Sequence, residues 1–186
     1  MIRKLTGLLI IYFFFYSQAN ASVKENIIEN LKSINNLTFD FEQNINGKIE
    51  KGNCIIEYPK KIYCLYKNLK KKLLVSNGKN LVIKNQISNQ YYIYPIEKTA
   101  LNLILDKNYL VEKINLLQEE LVDEKFYRFK FAEGDYEINI FFDKKNLNLI
   151  GWQNIDIYQN LVITYLYNIQ KNTVIDKNQF NLPSQN

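Results

Sequence analysis

Residues 52–66 read Gly-Asn-Cys-Ile-Ile-Glu-Tyr-Pro-Lys-Lys-Ile-Tyr-Cys-Leu-Tyr. Two runs rich in isoleucine and tyrosine flank the segment 58–61, where proline presets the φ angle for a turn and has no N–H to give a central strand. The stretch is therefore predicted to be a β-hairpin. Because side chains alternate along a strand, Cys54 and Cys64 share one side of this hairpin if the strands pair around the turn.

The N-terminus has the features of a secretory signal peptide. Arg3 and Lys4 precede an apolar stretch at residues 5–16, and an Ala-x-Ala site ends at Ala21. The apolar stretch is shorter than the about 20 residues that span a bilayer. We expect cleavage after Ala21 and a single exported domain at residues 22–186; an uncleaved membrane anchor is the alternative.

The composition argues against an enzyme. The chain contains no histidine, which removes the commonest general base and metal ligand and every scheme in which histidine activates serine or cysteine. The sequence also lacks glycine-rich phosphate-binding motifs and a Cys-x-x-Cys motif. The formal net charge of +5 comes from scattered lysines, which indicates an ordinary solvated surface. We expect no catalytic residue, no metal, no cofactor and no nucleic-acid partner.

Most of the chain is typical of a meander of antiparallel strands. Residues 37–46 alternate apolar and polar side chains, and Asn-Gly pairs at 46–47 and 77–78 indicate tight hairpins. Strand-like segments continue to residue 94 and resume from 126 to 169, about ten in all. Open sheets of that many strands curl or close, so we expect a barrel or half-barrel.

Helical periodicity replaces the strand pattern in three places. Residues 22–36 begin with Ser22 and have Glu25 three residues later, the spacing of a capping box. Residues 99–105 and 108–117 also carry apolar side chains at helical spacing. The apolar positions of the segment 99–105 are Leu101, Ile104 and Leu105. Amphipathic helices of this kind can plug a partly open barrel and leave an apolar cavity.

The first half of the chain contains several short motifs in a recognisable order. They are an amphipathic N-terminal helix, Phe39-Asp40-Phe41-Glu42-Gln43, Gly52, Tyr58-Pro59, Leu74-Val75-Ser76-Asn77-Gly78-Lys79, and Tyr94-Pro95-Ile96 followed by Thr99-Ala100-Leu101 and Leu103-Ile104-Leu105. This order resembles the LolA family of periplasmic outer-membrane lipoprotein carriers. The resemblance covers most of residues 23–106 and fades toward the C-terminus.

The resemblance implies a mainly β fold with short helices, namely a half-open antiparallel β-barrel of about ten to eleven strands closed by amphipathic helices. It also implies a periplasmic, monomeric carrier whose interior shields lipoprotein acyl chains. Such a carrier takes its cargo from an inner-membrane ABC transporter and passes it to an outer-membrane receptor lipoprotein. Each buried CH₂ group is worth about 0.8 kcal/mol, so acyl chains need such shielding to cross water. The alternative is a lipid- or lipoprotein-sensing binding module of the same fold without carrier activity.

The expected lining of the cavity lies at alternating positions of the matched strands. These residues are Phe39, Phe41, Ile56, Ile62, Tyr66, Tyr92 and Tyr94. For each of them the alternative is a place in the ordinary sheet core. Leu101, Ile104 and Leu105 are expected on the lid helices that cover the cavity.

The chain departs from the family at the hairpin turn. Family members have an arginine immediately before the turn proline, thought to tie the lid to the barrel, whereas this chain has Tyr58. We count Tyr58 among the cavity residues, although its hydroxyl can form a hydrogen bond without supplying a permanent charge. The aromatic pair that usually follows the turn aligns with Ile62 and Cys64.

The two cysteines leave two alternatives open. A non-hydrogen-bonded antiparallel pair has Cα atoms about 4.5 Å apart, which permits a disulfide, and disulfides persist in exported proteins. The sequence therefore predicts either a Cys54–Cys64 bridge or two buried free thiols. A bridge would stiffen the mouth of the barrel, where the family usually relies on aromatic packing.

Overall fold

The computed structural model describes residues 21–67, 71–156 and 158–185. The predicted signal peptide, apart from Ala21, lies outside the described residues. The elements in chain order are α1 (Val23–Ser33), β1 (Asn36–Ile45), β2 (Lys48–Glu57), β3 (Lys61–Tyr66), β4 (Lys72–Asn77), β5 (Asn80–Asn85), β6 (Tyr91–Pro95), a 3₁₀ turn (Ile96–Lys98), α2 (Ala100–Leu105), α3 (Lys107–Leu116), β7 (Glu120–Val122), β8 (Phe126–Glu133), β9 (Tyr136–Asp143), β10 (Leu149–Ile155), β11 (Leu161–Lys171) and a second 3₁₀ turn (Lys177–Phe180).

The eleven strands form one antiparallel sheet in the order β6-β5-β4-β3-β2-β1-β11-β10-β9-β8-β7. Strands that are adjacent in the sheet are also consecutive in the sequence, with one exception at the centre of the sheet. There β1 pairs with β11 and joins the two halves of the chain. The edge strands β6 and β7 do not pair with each other in the described sheet, so the barrel stays half open. The predicted fold class is confirmed. The three-residue strand β7 is an addition to the predicted strands, because so short a segment shows no alternation.

The predicted capping box starts α1. The Ser22 hydroxyl accepts a hydrogen bond from the Glu25 N–H at 3.2 Å, and the Glu25 carboxylate accepts one from the Ser22 N–H at 2.7 Å. The helix ends at Ser33, earlier than predicted, because Asn36 already pairs with Glu57 in the β1–β2 ladder. The Asn172 side chain also accepts a hydrogen bond from the Asn35 N–H at 2.7 Å, which holds this transition in place.

Helices α1 and α3 pack together inside one end of the half-barrel. Lys24 Nζ donates to the carbonyl oxygens of Asn115 and Leu117 at 3.3 and 3.0 Å, where α3 ends, and a cation near a helix C-terminus is favourable. Lys107 Nζ donates to the Ile34 carbonyl at 2.7 Å where α1 ends. The core of this end is closed, with the side chains of Ile27, Leu31, Leu110, Ile114, Phe129 and Phe142 buried. Any cavity on the concave face must therefore lie toward the other end.

The C-terminal segment covers part of the convex face. The 3₁₀ turn Lys177–Phe180 contacts β3 and β4, and Phe180 is buried there. Val75 and Val82, which are register partners on β4 and β5, are buried although they face away from the main core. The strands β4 and β5, which supply part of the site described next, thus carry buried side chains on both faces.

Candidate functional site

An apolar cavity of about 370 Å³ lies between the concave face of the sheet and the first turn of α2. Its volume falls within the range of small-molecule sites in proteins. Apolar side chains from both halves of the sheet and from α2 supply the walls. The aliphatic and indole lining residues of the cavity include Ile45, Leu74, Leu81, Ile83, Leu101, Trp152 and Val162.

Two tyrosines meet where the cavity reaches the β10–β11 turn. The hydroxyls of Tyr94, on the edge strand β6, and Tyr158, in that turn, are 3.4 Å apart. Because β6 and β10 are distant in the order of the sheet, this contact spans its concave side. The hydrogen bond to Tyr158, together with partial burial, raises the pKa of Tyr94 to about 12. The Tyr94 phenol is therefore neutral at physiological pH, and the pair joins the two sides of the opening.

A narrower space of about 40 Å³ extends the cavity toward the hairpin of β2 and β3. Phe41, Ile62 and both cysteines line it, and it shares Tyr66 with the main cavity. Cys54 and Cys64 are directly opposite in the β2–β3 register, with Cα atoms 4.1 Å apart, and a disulfide joins their sulfur atoms. The inner end of the cavity is therefore bounded by a covalently closed hairpin.

Tyr66 is held in the cavity wall by a polar chain. Its hydroxyl donates to Gln43 Oε1 at 3.2 Å, and Gln43 Nε2 donates to Thr164 Oγ1 at 2.9 Å. Burial, with a smaller contribution from the negative charge of Glu50, raises the pKa of Tyr66. Its phenol therefore presents a neutral ring to the cavity while its polar tip stays satisfied.

The hairpin turn is attached to the lid through Lys60. The Lys60 N–H donates to the Leu105 carbonyl at the end of α2 at 3.0 Å, and Lys60 Nζ lies 3.2 Å from the Asp106 carboxylate. Asp106 in turn caps α3 by accepting a hydrogen bond from the Tyr109 N–H. The family resemblance implies a connection between turn and lid at the position of Tyr58; in this chain Lys60, two residues later, makes such a connection.

Tyr58 itself packs against the core. Its N–H donates to the Asn35 carbonyl at 3.0 Å, and its ring lies 5.7 Å from Lys107 Nζ, within cation–π range. Its buried hydroxyl has no hydrogen-bond partner among the described residues. Burial also raises the pKa of Tyr58.

The model of one protein family matches residues 32–183, and that family is described as outer membrane lipoprotein carrier protein LolA. The chain belongs to the LolA family. No curated protein matches its sequence. The family match extends through β8 to β11, beyond the half of the chain in which the sequence motifs are found.

Solved structures share the fold of this LolA-family protein at low sequence identity. An uncharacterized conserved protein from Thermus thermophilus aligns with a TM-score of 0.52 and 9% identity over 87% of this chain and 92% of that one. MucB in the Pseudomonas aeruginosa MucA/MucB complex aligns with a TM-score of 0.50 and 11% identity over 89% of this chain and 62% of that one. A LolA superfamily protein from Nitrosomonas europaea aligns at 0.43 and 8% identity, covering 85% and 97%. These likenesses concern the fold alone.

The predicted lining residues of this LolA-family protein occupy four different places. Tyr66 and Tyr94 line the main cavity, whereas Phe41 and Ile62 line its narrow extension. Tyr92 lies in a separate polar space next to the main cavity.

Phe39 and Ile56 are buried in the closed core, away from these walls. They share the concave face with Cys54 and Ile62, their register partners, which line the extension. Alternation along a strand identifies the face of a side chain, not which neighbours cover it.

The three predicted lid residues lie in two different places. Leu101, near the start of α2, lines both the main cavity and its extension. Ile104 and Leu105, one turn later, are buried in the core. The cavity is therefore covered by the first turn of α2, and the second turn anchors the helix.

Several wall residues were missed by the sequence analysis. They are Leu81, Ile83, Trp152, Tyr158 and Val162. Leu81 and Ile83 alternate on β5 next to the recognised Asn-Gly turn, which is a usable signal. Trp152 is the single tryptophan of the chain, but it lies in the half of the sequence without recognised motifs.

The described part of the chain contains no group of three or more His, Cys, Asp or Glu side chains arranged to hold a metal ion. Among the same residues, no helix is both long and apolar enough to cross a membrane.

Proposed function

We propose that this LolA-family protein is a periplasmic carrier that binds lipoprotein acyl chains in the cavity beneath α2 and carries them from the inner to the outer membrane. The observation that carries the proposal is the 370 Å³ apolar cavity, bounded by the sheet and by a short helix. Each CH₂ group buried there contributes about 0.8 kcal/mol. The apolar walls thus match the chemistry of an acyl chain.

The site also has the features that release requires. The covering helix α2 has six residues and no side-chain N-cap. The Tyr136 hydroxyl, which donates to the Lys98 carbonyl at 2.7 Å, fixes the chain just before α2, and Lys60 fixes its end. Release would require the first turn of α2 to move outward, because Ile104 and Leu105 hold its second turn in the core.

The expected partners follow from the carrier proposal. Cargo is taken from an inner-membrane ABC lipoprotein-releasing transporter and given to an outer-membrane receptor lipoprotein, with the carrier acting as a monomer. The export signal expected at residues 1–21 and membership of the LolA family support a periplasmic location. The competing function, a lipid- or lipoprotein-sensing module, requires binding without transfer.

Acyl binding is tested with a fluorescent fatty-acyl probe. Leu81→Glu and Leu101→Glu place a carboxylate in the cavity wall, where its desolvation opposes acyl entry. We expect both variants to weaken binding at least about tenfold, since burial of an unpaired charge costs more than about 1.4 kcal/mol. Tyr165→Glu is the control, because Tyr165 lies on the convex face and is 52% exposed. Parent-like affinity in both cavity variants would exclude this cavity as the acyl site.

A further inference from the structure

A second, polar cavity lies beside the acyl cavity. It has a volume of about 210 Å³, and Lys72 and Ile83 belong to the walls of both cavities. Its remaining walls are Lys48, Glu50, Asn85, Gln90 and Tyr92. The two spaces therefore adjoin at Lys72 and Ile83.

The wall of the polar cavity contains one carboxylate and two ammonium groups. The Glu50 carboxylate lies between two ammonium groups: Lys48 Nζ is 3.3 Å from its Oε1, and Lys72 Nζ contacts its Oε2. Burial alone would raise the pKa of Glu50, but its bonds to Lys72 and Lys48 outweigh burial and hold that pKa below its ordinary value. Among the described residues of this wall, one ionised carboxylate thus lies against two ammonium groups.

The position of Lys72 is fixed from two sides. Besides its bond to Glu50, its Nζ lies 3.7 Å from the centroid of the Tyr66 ring, a favourable cation–π distance. Tyr66 itself lines the acyl cavity. The ammonium group is therefore held where the apolar space ends, which is where the head of a bound lipid would lie.

We propose that the polar cavity binds the anionic head group, a phosphate or a carboxylate, of a lipid whose acyl chain occupies the apolar cavity. The proposal rests on acyl binding by the main cavity and adds a preference among its ligands. Charge-assisted hydrogen bonds from lysine to anionic oxygen are about twice as strong as neutral ones. The side-chain amides of Asn85 and Gln90 supply further donor groups in the wall. A neutral acylglycerol offers no anionic oxygen to the two lysines in this wall.

Two lipids that differ only in the head group test this inference. Lysophosphatidic acid and a monoacylglycerol with the same acyl chain each displace the fluorescent fatty-acyl probe from the protein. We expect the phosphate-bearing lipid to bind about tenfold more tightly, the effect of one charge-assisted hydrogen bond, and the ratio to shrink at high salt. Inorganic phosphate at the same concentration should not displace the probe.

Variants with opposite expected effects separate the head-group site from a folding defect. Lys72→Met, and Lys48→Met at the exposed rim, should bring the affinity ratio toward one, whereas Glu50→Gln should increase it. Lys145→Met, in the β9–β10 turn, is the matched control and should leave the ratio unchanged. Because the readout is a ratio between lipids with one acyl chain, a general loss of stability does not imitate it.

Three results would overturn the inference. Equal affinities for the two lipids in the parent protein would exclude the head-group site and leave acyl binding intact. Displacement of the probe by inorganic phosphate at the concentration of the lipid would assign the anion site to a free ion instead of a head group. Failure of both lipids to bind would overturn the carrier proposal together with this one.

Discussion

The rings of Phe41 and Tyr66 meet edge to face, with centroids 4.9 Å apart and planes at 73°. Gly52 lies between them in the sheet, as the register partner of Phe41 on one side and of Tyr66 on the other. A Cβ atom at Gly52 would collide with the Leu65 carbonyl oxygen and lie 2.6 Å from the Phe41 ring. The absence of a side chain at this position is what lets the two rings pack at the inner end of the cavity.

Gly52→Ala should lower the free energy of unfolding by about 2 kcal/mol or more, because the backbone carbonyl of Leu65 cannot move away easily. Gly47→Ala is the comparison: nothing lies within 4 Å of its added Cβ, and only its φ of +89° opposes the substitution. That conformation costs about 1 kcal/mol. Urea unfolding measures both values. A cost for Gly52→Ala equal to or below that of Gly47→Ala would contradict the packing described above.

The phenols of Tyr58 and Tyr66 are both buried, but only the Tyr66 hydroxyl forms a hydrogen bond within the described structure. Tyr58→Phe removes a hydroxyl that has no partner in the described structure, so we expect the variant to be about 1 kcal/mol more stable. Tyr66→Phe removes the hydrogen bond to Gln43 and should be about 1 kcal/mol less stable. Thermal or urea unfolding of the two variants checks the signs. A destabilised Tyr58→Phe would reveal a role for that hydroxyl.

The same two residues make stability depend on alkaline pH. Burial raises the pKa of both phenols above the ordinary value of 10.0, so the native state favours the protonated form. This contribution is fully present below the unfolded-state pKa and is lost as pH rises through the folded-state pKa. Each phenylalanine variant should therefore lose less stability than the parent above about pH 10. Identical alkaline slopes for parent and variants would contradict this assignment.

The Cys54–Cys64 bridge should be detectable in the purified protein. Reduction is expected to add the mass of two hydrogens and to lower the free energy of unfolding by about 2–3 kcal/mol, the value for a loop of this length. The double variant Cys54→Ala/Cys64→Ala should show neither effect. An unchanged mass on reduction would leave the alternative of two buried thiols.

Lys60→Met should speed the exchange of bound acyl chains. The variant loses the 3.2 Å ion pair with Asp106 that ties the hairpin turn to the lid, a contact worth at most about 1 kcal/mol in a partly exposed pair. We therefore expect probe release to be about two- to fivefold faster in stopped-flow measurements. Lys61→Met is the matched control, because Lys61 pairs with Glu57 at 2.9 Å and not with the lid. Equal release rates for the two variants would show that the Lys60–Asp106 ion pair does not control lid opening.

The architecture of the sheet followed from local signals in the sequence. The Asn46-Gly47 turn, the hairpin around Pro59 and the Ser22–Glu25 capping box each depend on residues a few positions apart, and the structure contains all three. The pairing of β1 with β11 is different, because it joins residues more than a hundred positions apart. Alternation indicates that both strands exist but not that they pair.

The cavity was harder to predict than the fold. Tyr66 and Tyr94 line it, whereas Phe39 on the same face is buried in the core, because alternation along a strand does not indicate which neighbours cover a side chain. Trp152 and Val162 come from the far half of the sheet, and only the tertiary structure brings them opposite Leu101. The sequence did not indicate the role of Lys60 either, because its partner Asp106 lies far along the chain, between α2 and α3.

The most direct test of the carrier function is the release of a radiolabelled lipoprotein from spheroplasts by the purified protein comprising residues 22–186. We expect the parent and Tyr165→Glu to release the lipoprotein into a soluble complex, and Leu101→Glu to leave it in the membrane. Retention of the lipoprotein in the membrane with the parent protein, although the same protein binds the acyl probe, would contradict carrier function and identify a binding module instead.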